Sequence, residues 1–382
     1  MSIYPVLVLT FLNSISVRAA RVILPLYALD LGAHPFAIGV LAATFSILPM
    51  FTSLPTGKLA DRFGTRWPLI IGAIGGGFGM LVPFVLPGLP AVYIAAAMIG
   101  LSFAIYNVSL QNLIGLISNA SGRTRNFSNY TLANTVSNFV GPVIAGFSIE
   151  HFGYADTCLY FALFTIVPVA MLASWGQRLP PGTLRVGTQH AKHALGSIRD
   201  LLSDPVVRRV LATGSLLHVG QDLFNFYMPV YMHTVGLAPS VIGIVLGMYS
   251  AAAFIVRLSI PMLVARFKED KVLACAFFLS ALSLMLVPFF TDAVILSFIS
   301  FMFGLGMGVG QPIVMVLMFS SSAEGRSGEG MGLRMTVNHI TKLAGPIAFG
   351  AIGSVFGLFP MFWVNALMMV GGGILSRGKI GS

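Results

Sequence analysis

The sequence predicts an all-α membrane protein whose twelve transmembrane helices form two six-helix bundles related by pseudo-symmetry. Three observations support this fold class. Hydrophobic residues make up 56% of the 382 positions and charged residues only 9%, whereas roughly a quarter of the residues of a soluble domain are charged. The apolar residues are gathered into twelve segments of membrane-spanning length. The first six segments reappear, weakly, in the second six.

The apolar segments are long enough to be helices that cross a bilayer. A hydrocarbon core of ~30 Å requires about 20 residues of helix, and in lipid a continuous apolar segment satisfies its own backbone groups only as a helix. Most connections are short, so consecutive helices are expected to run antiparallel. The predicted spans are 3–29, 36–56, 67–87, 91–118, 127–149, 155–175, 206–232, 239–264, 272–290, 293–320, 331–353 and 355–376.

The second half of the chain repeats the first at an offset of 204 positions. Residues 25–146 align with residues 229–350 without a net gap, and the matched positions are mainly Pro and Gly. A long polar stretch separates the two copies. We therefore predict an N-terminal bundle at 1–175, a cytoplasmic linker at 176–205 and a C-terminal bundle at 206–382.

The net charge of +10 follows the predicted topology. Lys and Arg follow the even-numbered spans, whereas the alternate connections hold only the acidic residues Asp30, Glu150, Asp156 and Asp292. By the positive-inside rule, both termini and the linker are cytoplasmic. We expect a multi-pass protein of the bacterial inner membrane, and nucleic acid is not an expected partner.

The connection after the second span carries the most specific motif. It reads Gly-Lys-Leu-Ala-Asp-Arg-Phe-Gly-Thr-Arg, with Gly57, Asp61, Arg62, Gly64 and Arg66 at its key positions, and it resembles the signature loop of the major facilitator superfamily. With the twelve spans and the duplication, the resemblance covers essentially the whole chain. It implies a secondary active transporter with its substrate site between the two halves.

The charges of this loop suggest a gate. Gly57 and Gly64 permit a tight turn, and Asp61 can accept hydrogen bonds from Arg62 or Arg66. Such a clasp could close the cytoplasmic side in one state and release it in another. The alternative is a surface turn whose charges only set the topology.

A Gly-Pro pair recurs in the fifth and eleventh spans, as Gly141 and Pro142 and as Gly345 and Pro346. The first pair resembles the Gly-Pro motif of the superfamily's antiporters, although the glycines upstream of it are absent. Pro kinks a helix and Gly allows close helix contact. The pairs are therefore either bends between moving halves or simple packing positions.

Two ionisable residues occupy the same position in the two copies, Arg18 in the first span and Asp222 in the seventh. A charge at this depth is costly and marks a candidate functional site. Burial favours a neutral Asp, whereas an adjacent Arg favours the carboxylate, so Asp222 could take up and release a proton. The alternative is a permanent ion pair that specifies helix packing.

Further polar residues lie at helical spacing around this pair. His218, Asp222 and Asn225 share one face of the seventh span, as Arg18 and Arg21 do in the first. His218 could relay protons or be a packed histidine. The remaining candidates for the substrate or proton pathway are Asn138, Asn338, Lys342, Gln111 and Gln311.

The central charges favour an anionic substrate, because Arg18, Arg21 and Lys342 outnumber Asp222 and a positive cavity concentrates anions. The leading hypothesis is a proton-coupled transporter, acting by alternating access, for a small organic anion or an amphiphilic compound. The alternatives are a proton-driven multidrug efflux antiporter and a transport-inactive receptor or scaffold.

Enzymatic function is not expected, because His-Glu-x-x-His and Gly-x-Ser-x-Gly motifs are absent from the sequence. No cofactor is expected either, since there is no phosphate-binding loop, and Cys158 and Cys275 are isolated within apolar spans. The expected partners are a small-molecule substrate, protons and the lipid bilayer, with the chain acting as a monomer.

Overall fold

The computed structural model describes residues 3–117, 123–175, 203–321 and 327–377, and within these ranges it contains helices and no strand. A short 3-10 turn, Val287–Phe289, follows the ninth helix. The helices are α1 (Tyr4–Asp30), α2 (Pro35–Phe63), α3 (Arg66–Val85), α4 (Leu89–Ile117), α5 (Arg123–Phe164), α6 (Ile166–Trp175), α7 (Pro205–Thr234), α8 (Pro239–Phe267), α9 (Glu269–Leu286), α10 (Ala293–Ser321), α11 (Ser327–Phe356) and α12 (Leu358–Ser376).

Nine helical stretches in the described part of the chain are long and apolar enough to cross a membrane. One of them, Asn129–Ser174, has 46 residues and contains a non-helical residue at Gly153, so it is long enough for two crossings. The polar helix α7 is not among the nine, and α11 contributes only the shorter apolar stretch Ile340–Phe356. The expected number of twelve spans therefore stays a prediction.

The duplication is visible in the backbone as well as in the sequence. Gly32 and Gly236, which are 204 positions apart, have φ values of 83° and 84°. Gly153 and Gly357 repeat the pattern with 80° and 84°. Because L side chains rarely adopt positive φ, these shared turns show that both copies end the corresponding helices in the same way.

The connection after α2 differs from its prediction. We expected the second span to end at about residue 56 and a connecting loop to begin at Gly57, but α2 continues to Phe63. The reason is that Lys, Leu, Ala and Arg all favour helix, so the fall in hydropathy at this point does not end the helix. Only Gly64, with φ 82° and ψ 167°, and Thr65 separate α2 from α3.

The chain divides into two compact units. Unit 1 contains the described residues of Met1–Arg185 and Met232–Gly247, and unit 2 those of Val186–Tyr231 and Met248–Ser382. Most of the expected linker, residues 176–202, lies outside the described residues. The predicted division into 1–175, 176–205 and 206–382 stays a prediction.

Each unit has its own core. In unit 1, the buried Tyr106 of α4 packs with Leu9 and Leu69, and its hydroxyl donates to the Leu9 carbonyl at 3.2 Å. In unit 2, the ring of Phe224 stacks on Phe303 with centroids 4.3 Å apart. These contacts hold α1, α3 and α4 together in one unit, and α7 and α10 in the other.

Candidate functional site

Unit 1 contains a cluster of polar side chains in an apolar surrounding. Tyr130 on α5 donates its hydroxyl hydrogen to Asn107 Oδ1 on α4 at 2.5 Å. The Gln111 amide, one helical turn beyond Asn107, donates to the same oxygen at 2.9 Å and lies 3.4 Å from the Tyr130 hydroxyl. Gln111 is exposed, so this network combines fixed hydrogen bonds with an accessible amide.

The first helix completes the cluster from the other side. Ser14 on α1 donates to Asn134 Oδ1 at 2.8 Å, and Asn134 Nδ2 donates to the Tyr130 carbonyl at 3.0 Å. The half-buried Arg18 lies one turn after Ser14 on the same helix. We call Ser14, Asn107, Gln111, Tyr130 and Asn134 the polar cluster.

A glycine brings α1 and α5 close enough for these contacts. A Cβ atom placed on Gly141 would lie 2.7 Å from Arg18 Cβ and 3.1 Å from the Ile15 carbonyl oxygen. Such distances are too short for a side chain, so glycine is needed at this crossing. Gly141 therefore lies at a close crossing with the helix that carries Arg18, and Pro142 lies within α5. The interpretation of the pair as a bend between moving halves stays a prediction.

Three further residues of unit 1 lie near this region of the fold. Arg21, half-buried on α1, places its guanidinium carbon 5.8 Å from the centroid of the Phe45 ring, within range of a cation–π contact. Asn138 is half-buried on α5. Asn13, which was not among the predicted site residues, is buried, and its Oδ1 accepts no hydrogen bond from the described residues. A lone Asn in an apolar helix gave no periodic signal.

Unit 2 pairs two of the predicted pathway residues. The Gln311 amide on α10 is hydrogen-bonded to His218 Nδ1 on α7. Asp222 and Asn225 are half-buried one and two turns further along the same face of α7.

The second Gly-Pro pair packs against α7 as well. Tyr227 is buried, and its hydroxyl donates to the Pro346 carbonyl at 2.9 Å. Gly345 lies next to Pro346 with Val219 at 3.5 Å from its ideal Cβ position. On the same helix, Asn338 and Lys342 are half-buried. Arg334 precedes Asn338 by one helical turn, and its side chain lies outside the described residues.

The predicted gating residues are described only in part. The surroundings of Gly57 and the side chains of Asp61 and Arg62 lie outside the described part of the chain. The proposed clasp therefore stays a prediction. Gly64 forms the turn, and the half-buried Arg66 donates a hydrogen bond to the Ala173 carbonyl at 3.3 Å.

One contact region of unit 1 was not anticipated. In α5, seven residues before the non-helical Gly153, an ideal Cβ on Gly146 would lie 2.2 Å from the Pro239 carbonyl oxygen at the start of α8. Reciprocally, a Cβ on Gly243 would lie 2.5 Å from the Pro142 carbonyl oxygen. The backbones of α5 and α8 therefore touch directly.

Polar and aromatic contacts surround this crossing. Glu150 Oε2 accepts a hydrogen bond from the Ser240 amide at 3.1 Å, in the first turn of α8, where a carboxylate is favoured by the helix dipole. The ring of Tyr154 stacks on Tyr27 with centroids 5.4 Å apart, and its hydroxyl lies 3.4 Å from His233 Nε2. The sequence offered one signal for this region, since Glu150 is a charge in a connection without basic residues.

The structure thus groups the candidates into local sets. Gln111 and Arg18 belong with the polar cluster, and His218 belongs with Gln311. Arg18 and Asp222 fall in different compact units, so their pairing stays a prediction. Among the described residues, no group of three or more His, Cys, Asp or Glu side chains is placed to hold a metal ion.

Comparisons with known proteins identify the family. The sequence profile of the Major Facilitator Superfamily matches residues 6–340 and again 210–378. The chain is 25% identical to the quinolone resistance protein NorA of Staphylococcus aureus, over 94% of this chain and 92% of that protein. It is 22% identical to the multidrug resistance protein MdtG of Escherichia fergusonii, over 94% and 90% of the two chains.

A solved structure agrees at the level of the fold. The nucleoside transporter NupG superposes with a TM-score of 0.80 over 98% of both chains, at 13% sequence identity. The resemblance inferred from residues 57–66 is thereby confirmed, as is the all-α membrane fold. The chain belongs to the major facilitator superfamily and is a multi-pass membrane transporter, not an enzyme.

Proposed function

We propose that this chain exports amphiphilic organic compounds in exchange for protons, acting by alternating access. The observation that carries the proposal is the polar cluster of unit 1, where side chains from three helices meet around the exposed amide of Gln111. Hydrogen-bonding groups at such a place suit a ligand that is otherwise apolar, because a few polar contacts can orient it while its remaining surface stays in an apolar environment.

Arg18 adds a charge preference to this site. It lies one helical turn after Ser14 of the polar cluster, and a fixed cation favours a substrate with a carboxylate or another anionic group. Amphiphiles that combine an aromatic body with a carboxylate meet both conditions. Arg21 and Lys342 are proposed to contribute to the same preference.

The export direction is supported from two sides. Gly141 and Pro142 resemble the Gly-Pro motif of the superfamily's antiporters, and they lie where α5 packs tightly against α1 and α8. The relatives NorA and MdtG are a quinolone resistance protein and a multidrug resistance protein. Resistance by a transporter is consistent with removal of the compound from the cell.

Proton coupling is proposed to use Asp222. It is the acidic residue that the sequence places centrally in a span, whereas Arg18, Arg21 and Lys342 are basic. Intramembrane carboxyls commonly carry protons in transporters. His218 lies on the same face of α7 as Asp222 and is hydrogen-bonded to Gln311 of α10. It is proposed to assist the proton transfer.

A second candidate is uptake of a small organic anion together with protons. The basic surplus favours it, because protonation of Asp222 would remove the negative charge and strengthen anion binding. By linkage, the anion would then strengthen proton binding to the same extent. Both candidates place the termini and residues 176–205 on the cytoplasmic side and require no second copy of the chain.

The direction of proton movement distinguishes the two candidates. The purified protein is reconstituted into liposomes containing a pH-sensitive dye, with potassium and valinomycin to clamp the voltage, and a quinolone or benzoate is added outside. Exchange makes the lumen alkaline, and co-transport makes it acidic. Empty liposomes control for passive entry of the compound.

The Asp222→Asn variant tests the coupling residue in the same assay. It is expected to lose the pH signal while still exchanging labelled for unlabelled substrate. An unchanged pH signal in this variant contradicts the role of Asp222. A wild-type protein that moves substrate with no pH change contradicts proton coupling altogether.

A further inference from the structure

Unit 2 has an apolar groove on the surface formed by α8, α9 and α10. The groove has a volume of about 430 Å³, within the ~300–1,000 Å³ range of ligand sites. Val256 and Leu263 of α8, Cys275 and Leu279 of α9, and Leu305 of α10 contribute to its walls. Such a surface suits an acyl chain better than a water-soluble ligand.

The lining of the groove contains one charged residue. Lys271 lines it in the first turn of α9, and Cys275 and Leu279 follow at intervals of four residues along the same face. The groove thus extends along α9 away from its single charge. A lysine in this place can lay its stem along the apolar wall and keep its ammonium group at the polar surface of the bilayer.

The connection between α8 and α9 adds further positive charge beside the groove. Arg266, Lys268 and Lys271 are all exposed, whereas Glu269 and Asp270 in the same segment are half-buried. Lys268 has φ 63°, where the matching position of the first copy is Gly64 with φ 82°. A cation therefore occupies a backbone conformation that favours glycine.

Two other apolar grooves lack this charge. One, of about 500 Å³, is lined by residues such as Leu282, Met285 and Trp363. The other, of about 280 Å³ in unit 1, is lined by residues such as Phe78 and Ile166. Neither has a charged residue in its lining, so the combination of an apolar groove and a cation is particular to the groove at Lys271 among these three.

We propose that the groove between α8, α9 and α10 is a binding site for an anionic phospholipid. One acyl chain lies along Cys275 and Leu279, and Lys271 binds the phosphate of the headgroup, with Arg266 and Lys268 beside it. The commitment to an anionic lipid follows from charge complementarity, because basic residues at the membrane surface attract anionic headgroups. A soluble phosphate would leave the apolar groove empty.

The two cysteines of the chain provide a direct test. Cys158 is buried and Cys275 is exposed in the groove, so a Cys158→Ser protein carries one reporter thiol at the site. The full chain is purified in detergent, and the rate of Cys275 alkylation by N-ethylmaleimide is measured with phosphatidylglycerol, with phosphatidylcholine of the same acyl chains, or with glycerol phosphate. Only phosphatidylglycerol is expected to slow alkylation, by at least threefold.

Substitutions separate the headgroup from the chain. Lys271→Gln is expected to weaken the affinity for phosphatidylglycerol about fivefold, measured as the lipid concentration that gives half-maximal protection of Cys275; this is the effect of roughly one surface cation. Native mass spectrometry of Cys275→Trp, which fills the groove, should show reduced phosphatidylglycerol binding. The matched variant Leu282→Trp, in the groove without a charge, should bind normally. Apparent unfolding temperatures without lipid verify that each variant is folded.

Several outcomes would overturn the proposal. Equal protection by phosphatidylcholine indicates a groove for neutral lipid, and protection by glycerol phosphate alone indicates a soluble anion. A dimer mass that Cys275→Trp abolishes indicates a contact between copies of the chain. Full protection of Lys271→Gln by phosphatidylglycerol contradicts the headgroup contact.

Discussion

Replacing Gly146 by alanine is expected to lower both stability and transport, because Gly146 touches the backbone of α8. An added Cβ would lie 2.2 Å from the Pro239 carbonyl oxygen, 3.0 Å from the Pro239 carbonyl carbon and 3.1 Å from Ser240 Cα. All three are backbone atoms, so no side-chain rotation can relieve the clash. The helices themselves have to move.

The size of the effect follows from these distances. Ordinary van der Waals contact begins at 3.4 Å, so α5 and α8 must separate locally by about 1.2 Å, the difference between 3.4 and 2.2 Å. Overpacking costs ~1–3 kcal/mol, and alanine returns up to ~1 kcal/mol of helix propensity. The net loss is expected to reach about 2 kcal/mol, because the clash is severe. The hydrogen bond from Ser240 to Glu150 is expected to weaken with it.

Thermal unfolding of the purified protein and transport in liposomes measure the two effects. Gly371→Ala is the matched control, since Gly371 lies in α12 with nothing within 4 Å of its ideal Cβ position. It gains the same helix propensity without a clash and should be at least as stable as the wild type. If Gly146→Ala unfolds at the temperature of Gly371→Ala and transports normally, the close crossing is not as the structure describes it.

Three further substitutions test other parts of the chain. Tyr130→Phe removes the hydroxyl that donates to Asn107 Oδ1, and it should raise the KM for transport several-fold at unchanged abundance; an unchanged KM argues against the polar cluster as a binding site. Asp61→Asn should reduce transport per molecule on immunoblot-normalised membranes, and full activity excludes a gating role. Tyr227→Phe removes a buried bond to the Pro346 carbonyl and should cost about 1 kcal/mol, seen as a lower unfolding temperature; no change would mean that the bond contributes nothing.

Periodicity was sufficient to predict which helix faces are polar. His218, Asp222 and Asn225 were expected on one face of the seventh span, and all three are half-buried along α7. The offset of 204 also anticipated the repeated positions, and Gly32 and Gly236 have nearly the same φ value. These features depend on local geometry, which sequence spacing determines.

Partners on other helices were not predictable in the same way. That Tyr130 bonds to Asn107, and His218 to Gln311, depends on how helices cross and not on spacing within one helix. The end of α2 was misplaced for a different reason, because Lys58 and Arg62 lower the hydropathy without ending the helix. The contact of Glu150 with Ser240 joins residues 90 positions apart, and a single sequence contains no signal for such a pair.

Unit 1 consists of two chain segments that are separated in the sequence, and this determines when the unit can be completed during synthesis. Its last segment, Met232–Gly247, is complete only when 62 more residues have been added after Arg185. This synthesis takes about 3–12 s at ~5–20 residues per second. Until then, the surface of α5 around Pro142 and Gly146 has no α8 to cover it. A nascent chain that stops before Met232 therefore leaves this surface of unit 1 uncovered, so the first six spans alone are not a finished unit.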